Sequence, residues 1–298
     1  MTIAWVFPGQ GSQKIGMADH ILSLEGATER FGLASKIIGR DLLEICKGSK
    51  SSEDSLFSLN DTRNTQPALF VIESILVDDL HRQGRQASLM AGHSLGELVA
   101  LYASHVFNAE TALKLLYRRS ELMASAGGGA MTAVLGFDRK QLEDLVNTTE
   151  GVVIANDNSE SQIVLSGSPE AVSSVSERLT CKRTIPLSVS GAFHSPYMKE
   201  AADIFAQELD KVAFNNASVP VLSNSDPTPT TDSALLKQRL KQQMTTGVRW
   251  RESMEIMQQE NINTIVEIGP GNVLSGLAKR SMKGMISTQI SNANDLGH

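Results

Sequence analysis

The chain has 298 residues, 41% of them hydrophobic and 20% charged, which suits a soluble globular protein with a sizeable core. A formal net charge of −6 argues against a general nucleic-acid binder, and no apolar run approaches the length of a membrane span. Cys46 and Cys181 fit no metal or redox spacing and the six histidines form no paired-ligand pattern, so no metal site is expected and any catalytic histidine must act as acid or base, chemistry that requires no bound cofactor. The start "MTIAWVFPGQ" lacks a charged leader and a long apolar segment, and reads as a cytoplasmic amino terminus.

Taken in chain order, strand and helix alternate in the manner of an α/β protein. "IAWVF" (3–7) is a short buried strand stopped by Pro8-Gly9. Residues 67–84 start on a proline, keep helical apolar spacing and stop at glycine, which predicts a helix. A strand follows at 87–94, then helices at 95–105 and 109–126, the last ended by three glycines. The rhythm then shortens to strand 130–137, helix 138–149, strands 151–156 and 161–167, helix 168–180 and strand 181–190. That β-α-β-β-α-β order is ferredoxin-like. Helices at 196–213, 232–245 and 250–260, with strands at 219–224 and 264–269, resume the longer alternation. "GPGNVLSGLAKR" (269–280) reads as a turn and a helix. The expected fold is an α/β-hydrolase-like large domain (1–128 and 194–298) with a ferredoxin-like insert (129–193).

The segment "AGHSLGE" (91–97) sits between a predicted strand and a predicted helix. A serine on so tight a turn has its hydroxyl pushed out at the strand's carboxyl end, and the crowding requires minimal residues two before and two after it. Gly92 and Gly96 fill those places, which makes Ser94 a candidate nucleophile. The helix that follows aims backbone N–H groups at any oxyanion forming beside it. Of the histidines, His194 in "SGAFHSPYM" is the best base, since it lies between a predicted strand and a helix introduced by Pro196. His93 adjoins the nucleophile but points to the other face of the strand, which favours a structural role. Gly9 and Gly11 of "FPGQGSQ" can bring a second N–H close to the serine, although a plain tight turn has the same spacing.

The segments "VFPGQGSQ", "TQPAL", "AGHSLGE", "GAFHSPYM", "VRW" and "EIGPGNVL" follow one another from Val6 to about Lys279. In this order they resemble the malonyl-CoA:acyl-carrier-protein transacylases. "NTQPAL", "GHSLGE", "GGGAMTAV" and "VSGAFHSPYM" most resemble free-standing acyltransferases serving polyketide synthases, and fatty-acid enzymes and a malonate decarboxylase subunit share most of them. The resemblance implies Ser94 as acylated nucleophile, His194 as base and acid, and the amides of Gln10 and Leu95 as the oxyanion hole. It puts the histidine-orienting main-chain carbonyl on Arg249 and pocket-lining roles on Gln66 and Asn158. Arg119 becomes the clamp for the malonyl carboxylate, with Ser120 standing where relatives have glycine. Phe193 leaves little room for an α-methyl branch.

The implied reaction is ping-pong transfer from malonyl-CoA to the phosphopantetheine thiol of an acyl carrier protein, by a monomer without membrane or nucleic-acid partners. Arg118, Lys182, Arg183, Lys279 and Arg280 could contact an acidic carrier or simply be solvated. A serine acyl hydrolase with the same elbow is the main alternative. A patatin-like lipase would use a Ser-Asp pair instead, and a non-catalytic partner subunit would need no working Ser94 and His194.

Overall fold

In a computed structural model, residues 2–48, 55–189 and 191–297 are described. Ser190, placed at the end of a predicted strand, and His298 lie outside the described residues. The chain opens with β1 (Ile3–Phe7), a loop, and the helices α1 (Ala27–Ile38) and α2 (Leu42–Lys47). The long helix α3 (Thr62–Arg82) leads to β2 (Leu89–Gly92), then α4 (Gly96–Ala103) and α5 (Ala109–Ser125).

The predicted start of α3 at Pro67 is corrected by five residues, because Asp61 caps the helix through Arg63 N and the proline lies inside it. Pro67 has no N–H for the carbonyl of Arg63, four residues back. That oxygen accepts instead from Arg40 Nη2 at 3.5 Å. α3 is buried on nearly every side, as its run "PALFVIESILV", apolar but for Glu73 and Ser74, requires.

The ferredoxin-like unit consists of β3 (Ala130–Phe137), α6 (Arg139–Thr148), β4 (Val152–Ser159), β5 (Gln162–Gly167), α7 (Pro169–Arg178) and β6 (Cys181–Pro186). Its four antiparallel strands run in the order β4-β5-β3-β6. Asp138 and Ser168 cap the two helices by accepting from Gln141 N and Ala171 N. The predicted strand at 181–190 is shorter than expected, stopping at Pro186 where the ladder to β3 ends.

The remaining elements are α8 (Lys199–Asp210), β7 (Val221–Leu222), α9 (Ser233–Gln242), α10 (Trp250–Gln259), β8 (Thr264–Ile268), α11 (Val273–Ser281) and β9 (Ile286–Ile290). Five parallel strands pair in the order β7-β2-β1-β8-β9. Trp5 and Phe7 belong to one apolar cluster and Ala4 and Val6 to another, so both faces of this sheet are covered. The protein is thus a large α/β domain of the α/β-hydrolase-like kind with a small ferredoxin-like domain inserted.

Two features place the site. The chain reverses its direction of travel across the parallel sheet at β1, and crevices form outside the carboxyl ends of strands at such points. The small sheet is also tied to the large unit, since Val248 N donates to Ala155 O at 2.8 Å and Asp157 N to Val248 O at 2.9 Å. A Cβ on Gly247 would stand 2.7 Å from Ile154 O, so only glycine allows that close approach.

Candidate active site

The elbow is built as its glycines require. A Cβ on Gly92 would fall 1.9 Å from the Gly96 carbonyl carbon, and one on Gly96 would fall 2.2 Å from Phe7 O. The turn between them forces Ser94 into left-handed backbone, φ 54°. Gly9 approaches in the same way, its hypothetical Cβ 2.5 Å from His93 O. β1 and β2 therefore deliver Gln10 and Ser94 to one place.

Ser94 Oγ lies 2.7 Å from His194 Nε2, and His194 Nδ1 lies 2.9 Å from the main-chain oxygen of Gln243. A carbonyl can only accept, so Nδ1 carries the proton and Nε2 is free to accept from the serine. The carbonyl expected from Arg249 is thus supplied by Gln243, and this corrects the assignment. Arg249 O instead accepts from Ser253 N as α10 begins, while its guanidinium pairs with Glu252. Burial, the Arg119 charge and His93 push His194 down to about 3, against the Gln243 carbonyl. At neutral pH the imidazole is an uncharged base.

Arg119, on α5, is fully buried beside these two groups. It donates from Nη2 to Ser94 Oγ at 3.1 Å and Gln243 Oε1 at 2.8 Å, and from Nη1 to Gln66 Oε1 at 2.7 Å. Its Nε–H has no partner among the described residues. Burial lowers the guanidinium to about 10, with the Glu97 charge opposing, so it stays cationic. A polar chain continues outward: Gln66 Nε2 donates to Thr62 Oγ1 at 3.1 Å, and Thr62 Oγ1 to Gln10 Oε1 at 2.7 Å.

The N–H groups of Gln10 and Leu95 donate to nothing among the described residues. Asn158 is buried and accepts from His93 Nε2–H at 2.8 Å, and the Gln66 amide is engaged by Arg119 and Thr62, so neither residue forms the expected wall of the nearby cavity. Phe193 is a wall of it, with Gln10, Thr62, Arg63, Ser188 and Val189, around a space of about 560 Å³.

Several supporting residues escaped the sequence reading. Asn224, just past β7, accepts from Ser94 N at 2.7 Å and donates to Gly92 O at 2.6 Å, fixing the elbow from outside. A polar residue at the carboxyl end of a buried strand is a signal that could have found it. Glu97 is buried and accepts from Asn224 N at 3.0 Å and Gln243 Nε2 at 2.7 Å. Burial raises its carboxyl, while these hydrogen bonds and Arg119 oppose the shift. Nothing in "KQQMTTG" marks Gln243.

Comparison with known proteins bears on this arrangement. The model of the family described as "Acyl transferase domain" matches residues 4–297. The chain belongs to that acyl transferase family. Among its relatives, the malonyl CoA-acyl carrier protein transacylase of Synechocystis is 46% identical over 296 residues, 99% of both chains. The crystal structure of the Synechocystis enzyme covers 99% of both chains with a TM-score of 0.95. The polyketide biosynthesis transacylase PksC of Bacillus subtilis is 36% identical and covers 94% of this chain and 97% of its own. A complex of a type II polyketide acyl carrier protein with its malonyl-transacylase, PlMCAT:AntF, has a TM-score of 0.91 at 33% identity, covering 99% and 98%. No helix among the described residues of this acyl transferase is long and apolar enough to cross a membrane.

Proposed function

We propose that this acyl transferase moves the malonyl group of malonyl-CoA to the phosphopantetheine thiol of an acyl carrier protein, through an ester on Ser94. The observation that carries the choice of acyl group is Arg119. A buried cation 3.1 Å from the nucleophile, with an open N–H and no ion-pair partner among the described residues, is a receptor for a carboxylate. Full-length relatives named as malonyl transacylases support the same reading.

His194 Nε2 takes the Ser94 proton as Oγ attacks the thioester carbonyl. The oxyanion rests on the N–H groups of Gln10 and Leu95, each donor contributing roughly 3 kcal/mol to lowering the barrier. Collapse breaks the C–S bond, and the departing coenzyme A sulfur takes the proton from His194. The carrier thiol then gives its proton to His194 and attacks the ester carbonyl. A second oxyanion forms in the same hole, and Ser94 Oγ leaves and regains its hydrogen. Phe193 narrows the space beside the acyl α-carbon. The small domain is assigned to residues 129–193, with Gly129 and Gly191 packed closely at its two crossings, against Ala192 and Ala126 respectively.

A cytoplasmic location, where coenzyme A thioesters and carrier proteins meet, suits this chemistry and the two free cysteines. The decisive experiment offers malonyl-CoA with fatty-acid and polyketide holo-carriers in parallel and weighs the carriers by mass spectrometry. Malonyl-carrier is the expected product and its rate ranks the two carriers. Release of free malonate alone would make the protein a hydrolase.

A further inference from the structure

Arg119 differs from six other arginines of the protein. Arg30, Arg63, Arg139, Arg239, Arg249 and Arg251 each pair with a carboxylate at the surface or partly inside. Arg119, the most deeply buried of them, contacts three uncharged oxygens, those of Gln66, Gln243 and Ser94. A carboxylate is nevertheless close by. Glu97 is also fully buried, and one amide stands between the two charges. Gln243 turns Nε2 toward Glu97 Oε2 at 2.7 Å and Oε1 toward Arg119 Nη2 at 2.8 Å. The same Nε2 donates to Ser94 O at 2.9 Å, so the amide has little freedom to rotate.

Opposite charges in a dry interior pair strongly when geometry allows, and a guanidinium already paired has little left for a ligand. We propose that Gln243 is a specificity-determining spacer, whose amide keeps Glu97 off Arg119 and so reserves the guanidinium for the substrate carboxylate. The proposal rests on the reading of Arg119 as the malonyl clamp. Orientation of His194 uses the main-chain oxygen of Gln243, a separate group that side-chain replacement leaves in place.

An exchange of the two side chains tests it. The double variant Glu97→Gln/Gln243→Glu keeps net charge and shape, and moves the carboxylate from the far side of the amide onto the arginine. Ser94 O loses its donor, which slows every substrate, and the malonyl-to-acetyl ratio of kcat/KM cancels that loss. The ratio is expected to fall on the order of a hundredfold, with the thermal midpoint held or raised by the new ion pair. A ratio within threefold of wild type in folded protein overturns the spacer. If the double variant does not fold, Gln243→Glu alone is read the same way, because Arg119 holds the new charge and the proton settles on Glu97. Arg119→Ala separates the two levels. An unchanged ratio there sinks both the clamp and the spacer, whereas a collapsed ratio beside an unchanged one in the exchange variant sinks only the spacer.

Discussion

Ser94 and His194 both stand in left-handed backbone, φ 54° and 55°, and their side chains meet at 2.7 Å across 100 residues of chain. Such a conformation costs a non-glycine residue roughly 1–2 kcal/mol, so two strained residues facing each other mark a site held for its geometry. The first follows β2 of the parallel sheet, and the second follows Gly191, where a Cβ would stand 2.5 Å from Ala126 O. Incubating the protein with malonyl-CoA and no acceptor should therefore leave one malonyl group on Ser94, visible in the intact mass. The same adduct at native stoichiometry on Ser94→Ala would remove the nucleophile from the account.

The elbow glycines should be far less tolerant than glycines that merely turn the chain. A methyl at position 92 would overlap the Gly96 carbonyl carbon at 1.9 Å, where only main chain could yield. Gly92→Ala is expected to cost at least about 3 kcal/mol in urea unfolding, beyond the usual overpacking range if the turn cannot open. Gly84, unlike Gly92, has positive φ, 72°, but nothing lies within 4 Å of its Cβ. Gly84→Ala should cost only about 1 kcal/mol, the backbone penalty alone. A cost at Gly92 no larger than that at Gly84 would show that crowding does not set the requirement.

Much of this was legible in the amino acids, for identifiable reasons. β3 and the two capped helices of the small domain announce themselves through period, a side-chain cap and a proline at the first turn. By contrast α1 follows Gly26, which is in left-handed backbone with no capping side chain, and its first turn holds no proline, so neither the cap nor the proline signal is present. Pro67 pointed to a helix start, but the half-buried Arg40 side chain satisfies the carbonyl that the proline leaves without a donor. β9 is a half-exposed edge strand of mixed polarity and lacks the continuous apolar run of β8. At the site, Ser94 and His194 lie in motifs whose local backbone creates their roles. Gln243 acts through groups brought from 149, 146, 124 and 49 residues away, and local sequence holds no trace of such packing.

Buried beside a cation, His194 should remain a base in unusually acidic solution. Its folded-state value of about 3 lies below the ordinary 6.5, chiefly through burial and then through Arg119. The acid limb of kcat/KM is expected well below pH 6, limited by unfolding before protonation of the base. The sign for stability is opposite to that of a histidine in a salt bridge. Between about 6.5 and about 3 the unfolded chain binds a proton that the folded one refuses, so this residue's contribution is full above 6.5 and declines as pH falls. His194→Gln should accordingly show shallower acid destabilisation than wild type. An activity profile falling with a midpoint near 6.5 would contradict the desolvated, arginine-flanked imidazole.

Selectivity for a charged acyl group should reside in Arg119 more than in the size of the pocket. Its guanidinium is fully buried, satisfied by neutral oxygens on one side and open at Nε. In Arg119→Ala a bound malonyl carboxylate would face this interior without a partner. Leaving a buried charge unpaired costs about 3–5 kcal/mol, on the order of a hundredfold or more in kcat/KM for malonyl-CoA. Acetyl-CoA presents no carboxylate, so it escapes that penalty. It does lose the hydrogen bond from Nη2 to Ser94 Oγ, a loss that malonyl-CoA shares. The malonyl-to-acetyl ratio therefore isolates the charge, and it should fall by most of the hundredfold even if both absolute rates decline. Equal depression of the two substrates would make the arginine a support for the nucleophile alone, and malonyl preference would then have to arise at another wall of the pocket.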